Sequence, residues 1–395
     1  MLKDLIIHSL KQTQEEQITF KEYMEILLYH PQYGYYASQL SDIGKEGDFF
    51  TAPSLGKDFG ELLAIQFAEM WQILSRPTPF ALVEMGAGNG SLAVDILNYL
   101  EQQFPDLSKC LHYIIVESSP LLQAFQRRKV RDNFNDLSII SWQSWKEIPN
   151  NSVCGCFFSN ELVDAFPVHR LAVESGNLKE VYLTHSQGEI REELGELSNL
   201  DIINYFHNIA IEFPSPMYGD GYRTEVNLVA THWLKTVADK LKRGYLLTID
   251  YGLSAQKYYH PQRVDGTLQC YFQHRRHNNP YLNMGQQDIT THVNFTALEK
   301  YGAKFGLKLL GLSKQGIFLM TLGLGDRLTQ LSSEEYDLAT ILKRRDALHQ
   351  LINPTGLGDF GVLVQAKGLN QDQLSASLSG LRDPLRLRKS LISEG

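Results

Sequence analysis

An apolar strand that runs directly into a glycine turn and a helix constrains the fold of this chain most strongly. The run FALVEM at 80–85 precedes glycines at 86, 88 and 90, and SLAVDILNYL then carries Leu and Ile at helical spacing. Glycine accepts the positive φ angles of a tight turn, and its missing side chain leaves backbone N–H groups open to a ligand. The pattern predicts a strand–turn–helix unit that binds a ligand at the turn.

Apolar strands alternate with helices from residue 80 onward. Further strands are predicted at LHYIIVE, LSIISW, VCGCFFSN and YLLTIDYG, with helices between them. Strands that are apolar throughout indicate a parallel sheet covered on both faces, so the predicted fold class is α/β. One helix is predicted over 224–244, and KLLGLS and GIFLMTLG are predicted as later strands.

Two other regions flank or interrupt this alternation. Residues 1–75 follow helical spacing and include a capping box at Thr19 and Glu22, so we expect a helical N-terminal region. Residues 253–295 are polar and aromatic and too numerous for a structureless loop, so we expect a lid or an insertion. The predicted domains are therefore 1–75 and 76–395, with the insertion inside the second.

Charge and composition argue against several classes of function. The 395 residues carry a net charge of −8, unlike a basic nucleic-acid-binding protein, and the run QRRK at 126–129 is interpreted as a solvated helix face. No apolar run approaches the length of a membrane span, so no transmembrane segment is expected. The N-terminus has no signal-peptide core, and the first arginine is Arg76, unlike a transit peptide. We therefore expect a cytoplasmic protein of bacterial type, and a mature organellar protein is the alternative.

Neighbouring residues narrow the ligand of the glycine turn. A dinucleotide-binding turn has its third glycine one residue later, where this chain has Ser91, and no Gly-Lys-Ser/Thr sequence of a P-loop follows. Glu117 ends the second predicted strand, where a carboxylate can accept hydrogen bonds from ribose hydroxyls. Glu84 would repel phosphate and attract a cationic group. An adenosine ligand with a cationic tail fits best, an NAD-dependent oxidoreductase is disfavoured, and a plain tight turn is the remaining alternative.

Longer segments resemble a known family. VEMGAGNG and IIVESSP resemble motif I and its partner acid in class I S-adenosylmethionine-dependent methyltransferases. Over about 18–367 the chain also resembles the MidA family, through GDFFTAPSLGKDFGE, SNELVDAFPVHR, RVDGTLQCYFQHRRHNNPY, GQQDITTHVNF and NPTGLGDF. That family includes the mitochondrial complex I assembly factor that methylates an arginine of a respiratory subunit.

The resemblance implies a Rossmann-like seven-stranded sheet with an antiparallel last strand, completed by a hairpin of the segments around 308–313 and 360–367. It also implies S-adenosyl-L-methionine as the cofactor and an arginine side chain of a protein, such as a complex I-type subunit, as the methyl acceptor. A cofactor-binding but non-catalytic assembly factor is the alternative function, and a homodimer is one possible assembly. The residues expected at the cofactor are Glu84, Gly86, Gly88, Gly90, Glu117 and Asn160.

Candidates for the acceptor side follow the fourth predicted strand. Glu161 and Asp164 are spaced i, i+3, so a helical turn would place both carboxylates on one face. Paired carboxylates bind and orient a guanidinium through charge-assisted hydrogen bonds, which suits an arginine that stays protonated in water. Both residues are therefore catalytic candidates, and the alternative is that they only favour a helix N-terminus.

A polar segment later in the chain supplies another candidate. QQDITTHVNF at 286–295 alternates polar and apolar residues, which would place Asp288, Thr290 and His292 on one side of an extended segment. We expect a polar wall of the substrate site, with His292 as a catalytic proton acceptor or relay, while a structural histidine is equally open. Together with His274 and His277 the spacing fits no zinc pattern, so no metal is expected.

The segment GDFFTAP at 47–53 is the remaining candidate for cofactor contact. We expect Asp48 and Thr51 to supply polar contacts and Phe49 to cover the adenosine. Helix capping and packing are the alternative roles for these residues.

Overall fold

The structure, a computed structural model, describes residues 2–13, 15–38, 51–186, 188–273, 275–331 and 337–382. These residues form two compact units. The first unit takes the described residues of Met1–Phe49, Val163–Lys235 and Gly252–Lys304. The second takes those of Phe50–Leu162, Thr236–Tyr251 and Phe305–Gly395.

Strands and helices are numbered in chain order. The strands are β1 Gln17–Thr19, β2 Phe80–Met85, β3 Leu111–Val116, β4 Ile140–Trp142, β5 Val153–Asn160, β6 His169–Glu174, β7 Asn177–Ser186, β8 Glu189–Gly195, β9 Arg223–Val226, β10 Leu241–Asp250, β11 Gly252–Leu253, β12 Gln269–Phe272, β13 Arg275–His277, β14 Asp288–Thr290, β15 Val293–Asn294, β16 Lys308–Lys314 and β17 Gly361–Lys367. The α-helices are α1 Leu2–Gln12, α2 Phe20–Tyr29, α3 Tyr35–Ser38, α4 Asp58–Ile73, α5 Ser91–Gln103, α6 Pro105–Ser108, α7 Pro120–Asn133, α8 Asp201–Asn208, α9 Leu228–Lys240, α10 Ala255–Tyr258, α11 Phe295–Lys304, α12 Gln315–Thr321, α13 Leu324–Gln330, α14 Leu338–Ile352 and α15 Gln371–Ser375.

A mixed seven-stranded sheet runs through the second unit in the order β16-β17-β10-β5-β2-β3-β4. The strands from β10 to β4 pair in parallel, and β17 is antiparallel to both β10 and β16. The predicted α/β class is thereby confirmed, and the segments predicted to pair around 308–313 and 360–367 are β16 and β17, an antiparallel pair with helices between them in the chain.

Close packing explains the sequence of the central strands. Every residue of β2 is buried, as a strand inside a sheet covered on both faces requires. Gly155 of β5 and Gly244 of β10 lie opposite each other, and an added Cβ at either would come within 1.9 Å of a neighbouring backbone oxygen. The glycine between Cys154 and Cys156 therefore allows the strands to approach.

The first unit contains a five-stranded antiparallel sheet in the order β1-β7-β6-β9, with β8 paired to β7. Two smaller sheets, β11-β15 and β13-β12-β14, lie in the same unit. The described residues of 253–295, predicted to be a lid or an insertion, contain short strands, the helix α10 and the loops between them. None of the strands of the five-stranded sheet is predicted above, because their mixed polar and apolar residues lack the long apolar runs of a parallel strand.

The helix predicted over 224–244 is shorter than expected. Its first residues pair with β6 as part of β9, and α9 begins only at Leu228. The side chain of Asn227 accepts a hydrogen bond from the Ala230 N–H at 2.8 Å, which caps the helix there. No helix in the described ranges is long and apolar enough to cross a membrane.

The predicted strand GIFLMTLG is also wrong, since most of this segment is helix α12. Short apolar runs are ambiguous between strand and helix, and here the buried residues follow helical spacing: Gln315, Gly316, Phe318 and Leu319. The capping box at the start of α2 is confirmed, because Thr19 and Glu22 exchange side-chain and backbone hydrogen bonds.

Candidate active site

The glycine turn lies at the carboxyl end of β2 and leads into α5. Gly86, Gly88 and Gly90 have φ angles of 73°, 51° and 76°, a region that residues with a Cβ rarely adopt. Gly90 is the N-cap of α5, and its N–H donates to the Ala87 carbonyl at 2.8 Å. An added Cβ at Gly88 would meet no described atom within 4 Å, so there is open space beside the turn. The predicted strand–turn–helix unit is confirmed.

Glu84 lies two residues before the turn and is almost completely buried. The hydroxyl of Tyr113, on the neighbouring strand β3, donates to its carboxylate at 2.7 Å. Burial raises the pKa of Glu84 to about 7; the Tyr113 hydrogen bond opposes the rise and the nearby Glu117 charge adds to it. Glu84 is therefore part ionised and part protonated near neutral pH.

Glu117 follows β3 directly and is held against the start of α7. Its carboxylate accepts hydrogen bonds from the Ser119 N–H at 2.9 Å and from Gln126 Nε2 at 3.4 Å. Ser119 is also the N-cap of α7. Burial raises the pKa of Glu117, and these two hydrogen bonds oppose the rise. The carboxylate is thus fixed in direction at the end of its strand.

Gln126 connects Glu117 with the glycine turn, and the sequence prediction missed it. Its Nε2 donates to the Gly88 carbonyl at 2.9 Å as well as to Glu117, and its Oε1 accepts from Trp142 Nε1 at 2.9 Å. The side chain is fully buried, so the interpretation of QRRK as a solvated face is wrong for its first residue. The spacing of residues on α7 could have identified Gln126 as buried, because it lies on one helix face with Leu122 and Val130.

Asn160 is the last residue of β5, and Glu161 follows it with a φ of 49°. This left-handed conformation costs energy in a residue with a Cβ, and such residues cluster at functional sites. Asn160 Nδ2 donates to Glu161 Oε1 at 3.0 Å, and the Glu161 N–H donates to the Ile249 carbonyl at 2.9 Å. Asn160 Oδ1 is shielded from solvent and has no hydrogen-bond partner among the described residues. That acceptor is available to a ligand.

The helical turn predicted to pair Glu161 with Asp164 does not form. Residues 161–166 make bends and a turn, because a positive φ at Glu161 is incompatible with a right-handed helix. Glu161 belongs to the second unit and Asp164 to the first. Asp164 is buried, and its carbonyl accepts a hydrogen bond from the Thr291 N–H at 2.9 Å. The spacing i, i+3 therefore does not place these carboxylates on one helix face.

His292 lies in the first unit, directly before β15. Its backbone N–H donates to Thr267 Oγ1 at 3.2 Å. Burial, assisted by the charges of Arg263 and Arg276, lowers the pKa of its imidazole to about 4. The imidazole is neutral at pH 7, which is the state that a proton acceptor requires.

Polar side chains of the same segment are buried within the first unit. Asp288 Oδ1 accepts hydrogen bonds from the Tyr36 hydroxyl and from the Ile289 N–H, each at 2.9 Å. Three further side-chain atoms are shielded from solvent without a hydrogen-bond partner in the described part of the chain: Gln287 Oε1, Thr290 Oγ1 and Thr291 Oγ1. The segment carries more polar groups than its own fold satisfies.

Some predicted residues lie outside the described ranges, namely Asp48, Phe49 and His274. Thr51 is half-buried and precedes the short 3₁₀ helix Ala52–Leu55, where its carbonyl accepts from the Ser54 N–H at 3.0 Å. Among the described residues, no group of three or more His, Cys, Asp and Glu side chains could hold a metal ion.

Several of the candidates share one edge of the sheet. The glycine turn, Glu117 and Asn160–Glu161 follow the carboxyl ends of β2, β3 and β5, which are neighbours in the sheet. Ligands of open α/β sheets bind beyond the carboxyl ends of the strands. An open glycine turn, a fixed carboxylate and an unsatisfied amide oxygen are a donor and acceptor set that fits a nucleoside with an amino-acid tail.

The chain matches one protein family over residues 62–313, described as "Putative S-adenosyl-L-methionine-dependent methyltransferase". It is also similar to the crystal structure of a Burkholderia thailandensis protein bound to S-adenosyl-homocysteine. That similarity has a TM-score of 0.82 at 28% identity and covers 96% of this chain and 95% of the other. The two chains share the fold, and the other protein binds a nucleoside with an amino-acid tail.

Curated relatives carry names of protein-modifying enzymes. "Protein arginine methyltransferase NDUFAF7 homolog, mitochondrial" of Drosophila melanogaster is 28% identical over 336 residues, which are 80% of this chain and 73% of the relative. "Protein arginine methyltransferase NDUFAF7, mitochondrial" of Homo sapiens is 26% identical over 361 residues, which are 87% of this chain and 78% of the relative.

Proposed function

The chain belongs to the MidA-like family of S-adenosyl-L-methionine-dependent methyltransferases, and from this premise we propose that it methylates an arginine side chain of a protein. S-adenosyl-L-methionine is its methyl donor. When bound, the donor supplies a methyl group on a positively charged sulfur that leaves readily. The protein has to bind the nucleoside, orient the acceptor nitrogen, exclude water and accept one proton.

We assign donor binding to the edge formed by β2, β3 and β5. The open turn at Gly86, Gly88 and Gly90 lets the donor lie against the backbone. Glu117 would accept hydrogen bonds from the ribose hydroxyls, and Asn160 Oδ1 offers a further acceptor. Glu84, in its ionised form, favours the cationic methionine end. Contacts of Asp48 and Thr51 with the donor stay predictions.

The observation that carries the acceptor proposal is the strained backbone of Glu161. A guanidinium has five N–H donors in a planar fork and stays protonated in water, so it needs a fixed carboxylate to bind and orient it. Glu161 presents such a carboxylate directly after β5, and the Asn160 amide holds one of its oxygens at 3.0 Å. The names of the relatives support the same acceptor class.

Transfer requires one nitrogen to lose a proton as it gains a methyl group. The nitrogen lone pair forms the N–CH₃ bond, the electron pair of the broken S–CH₃ bond stays on sulfur, and one proton leaves the guanidinium. We propose that Glu161 orients the guanidinium through charge-assisted hydrogen bonds. Two further roles are predictions. Asp164 would make a second carboxylate contact with the guanidinium, and the neutral imidazole of His292 would accept the proton.

A complex I-type subunit is the candidate target, on the resemblance to the MidA family. The test compares cells that contain the intact gene, no gene, or the gene with Glu161→Gln. We expect arginine methylation of the subunit, measured by mass spectrometry, only with the intact gene. Unchanged methylation without the gene would remove this subunit as the target.

The alternative is an assembly factor that binds the donor without using it. An E161Q protein that still supports assembly of the complex while methylation is lost would separate the two functions. Calorimetric titration of the purified protein with S-adenosyl-L-methionine, with NAD as the comparison, checks donor binding in the same variant. Fractionation and sedimentation test the cytoplasmic location and the homodimer, which both stay predictions.

A further inference from the structure

We propose that Gln126 is a positioning residue of the donor site, which holds the Glu117 carboxylate and the Gly88 carbonyl in the arrangement that binds the nucleoside. The inference concerns donor binding and does not depend on which acceptor is methylated. It rests on the proposed role of Glu117 toward the ribose hydroxyls.

Both the nitrogen and the oxygen of the Gln126 side-chain amide make hydrogen bonds. Nε2 donates to Gly88 O at 2.9 Å and makes a longer contact of 3.4 Å with Glu117 Oε2, while Oε1 accepts from Trp142 Nε1 at 2.9 Å. The N–H groups of Nε2 point at two acceptors, and Oε1 faces a donor. Exchanging the nitrogen and the oxygen would break these hydrogen bonds, so the partners fix the orientation of the amide. Neither an apolar side chain nor an ionised carboxylate can reproduce this set.

The partners of Gln126 come from three neighbouring strands. Gly88 follows β2, Glu117 follows β3, and Trp142 is the last residue of β4. One amide therefore connects three consecutive strand ends at the edge where the donor binds. The guanidinium of Arg127 also lies over the Trp142 ring, 4.2 Å from its centroid.

A packing role alone would not require glutamine at this position. Leu122 and Val130 precede and follow Gln126 on the buried face of α7, and an apolar residue would continue that face. A buried amide is unfavourable unless its hydrogen bonds are made. The glutamine is accounted for by its three partners, two of which belong to the donor site.

Glu117 depends on this contact for its direction. Its Oε1 accepts a hydrogen bond from the Ser119 N–H at 2.9 Å, and its Oε2 accepts one from Gln126 Nε2 at 3.4 Å. A carboxylate that must accept two ribose hydroxyls has to present a defined edge. Without Gln126, Glu117 Oε2 would lose this side-chain hydrogen bond, and the Gly88 carbonyl would lose another.

Calorimetric titration with S-adenosyl-homocysteine tests the proposal without any acceptor protein. The proteins are the wild type, Gln126→Leu, Glu117→Gln, the double variant and the control Gln102→Leu, which replaces an exposed glutamine of α5. We expect Q126L to weaken binding about tenfold, because only a fraction of the molecules would then present Glu117 in the orientation that binds the ribose. In the E117Q background, Q126L should have at most a small further effect, and Q102L should bind as the wild type does.

A second readout separates positioning from loss of fold. All titrations are made well below the thermal midpoint of each variant. The hydrogen bond from Gln126 opposes the rise of the Glu117 pKa, so in Q126L the pH midpoint of binding should move upward. The proposal would be overturned if Q126L or E117Q bound S-adenosyl-homocysteine with wild-type affinity. It would also be overturned if the effects of the two substitutions were independent.

Discussion

The hydroxyl of Tyr113 donates a hydrogen bond of 2.7 Å to the carboxylate of Glu84, and both side chains are buried on neighbouring parallel strands. Tyr113 thereby stabilises the ionised form of a carboxylate that burial would otherwise keep protonated. The pair places a titrating group two residues before the glycine turn.

Glu84 should make stability depend on pH in a definite direction. Its pKa is raised from 4.5 to about 7, so the folded state binds more protons than the unfolded state between these values. The free energy of unfolding should fall by about 3 kcal/mol from pH 4.5 to 7.5 through this group, and then level off. Urea unfolding measures it, and the matched variant Glu84→Gln should lack this component. Equal pH profiles for the two proteins would contradict the assignment.

Tyr113→Phe should raise the pKa of Glu84 further, because it removes the hydrogen bond that lowers it. Affinity for S-adenosyl-L-methionine should then increase with pH over a higher range than in the wild type. Glu84→Gln should bind weakly with little pH dependence. Measuring the affinity of both variants from pH 6 to 9 gives the pH midpoint of binding. If Y113F left this midpoint unchanged, Tyr113 would have no effect on the pKa of Glu84.

Gly88→Ala should greatly lower the affinity for the donor and lower the stability of the fold only slightly. Gly88 has a φ of 51° and Gly176 one of 75°, and an added Cβ at either meets no described atom within 4 Å. Both alanine variants should therefore lose about 1 kcal/mol of stability from backbone strain. Only G88A should lose affinity, since its Cβ enters the space assigned to the donor. Thermal unfolding and calorimetry with S-adenosyl-homocysteine distinguish them, and a matching loss in G176A would argue against the site.

Two substitutions at Glu161 separate the cost of its strained backbone from the role of its carboxylate in methyl transfer. Glu161→Gly should relieve the left-handed backbone and stabilise the protein by up to about 1 kcal/mol, whereas Glu161→Gln keeps the strain. Both should lose methyl transfer and keep donor binding, because the carboxylate is assigned to the acceptor. Denaturant unfolding and a radiolabelled methyl-transfer assay provide the two readouts. Full transfer by either variant would exclude Glu161 from the acceptor role.

His292 should contribute stability that is lost in acid. Its pKa is lowered from 6.5 to about 4, so the unfolded state binds more protons between these values and stability falls as pH decreases from 6.5 to 4. His292→Gln should show a smaller loss in this range. If the imidazole accepts the transferred proton, kcat should also fall by about 10²-fold or more with donor affinity unchanged. An unchanged kcat would leave His292 with a structural role only.

Local sequence patterns determined the elements whose residues interact with near neighbours in the chain. The strand FALVEM, the glycine turn and the start of α5 lie where the sequence predicts them, and the capping box of α2 needs only residues three apart. Long apolar runs were enough to predict the parallel strands, because such runs are stable only inside a covered sheet. The resemblance of longer segments added the family and the methyl donor. The domain limits at 1–75 and 76–395 stay predictions.

Tertiary structure decided the elements and contacts that depend on distant residues. Strands β1 and β9 of the first unit pair with β7 and β6, which lie far away in the sequence. The helical pattern of α12 became clear only from which side chains are buried. Glu161 has a left-handed backbone conformation, and its N–H donates a hydrogen bond to Ile249 of β10. Gln126 is an ordinary polar residue in the sequence. Its role follows from the fold, which brings the ends of β2, β3 and β4 around a single buried amide.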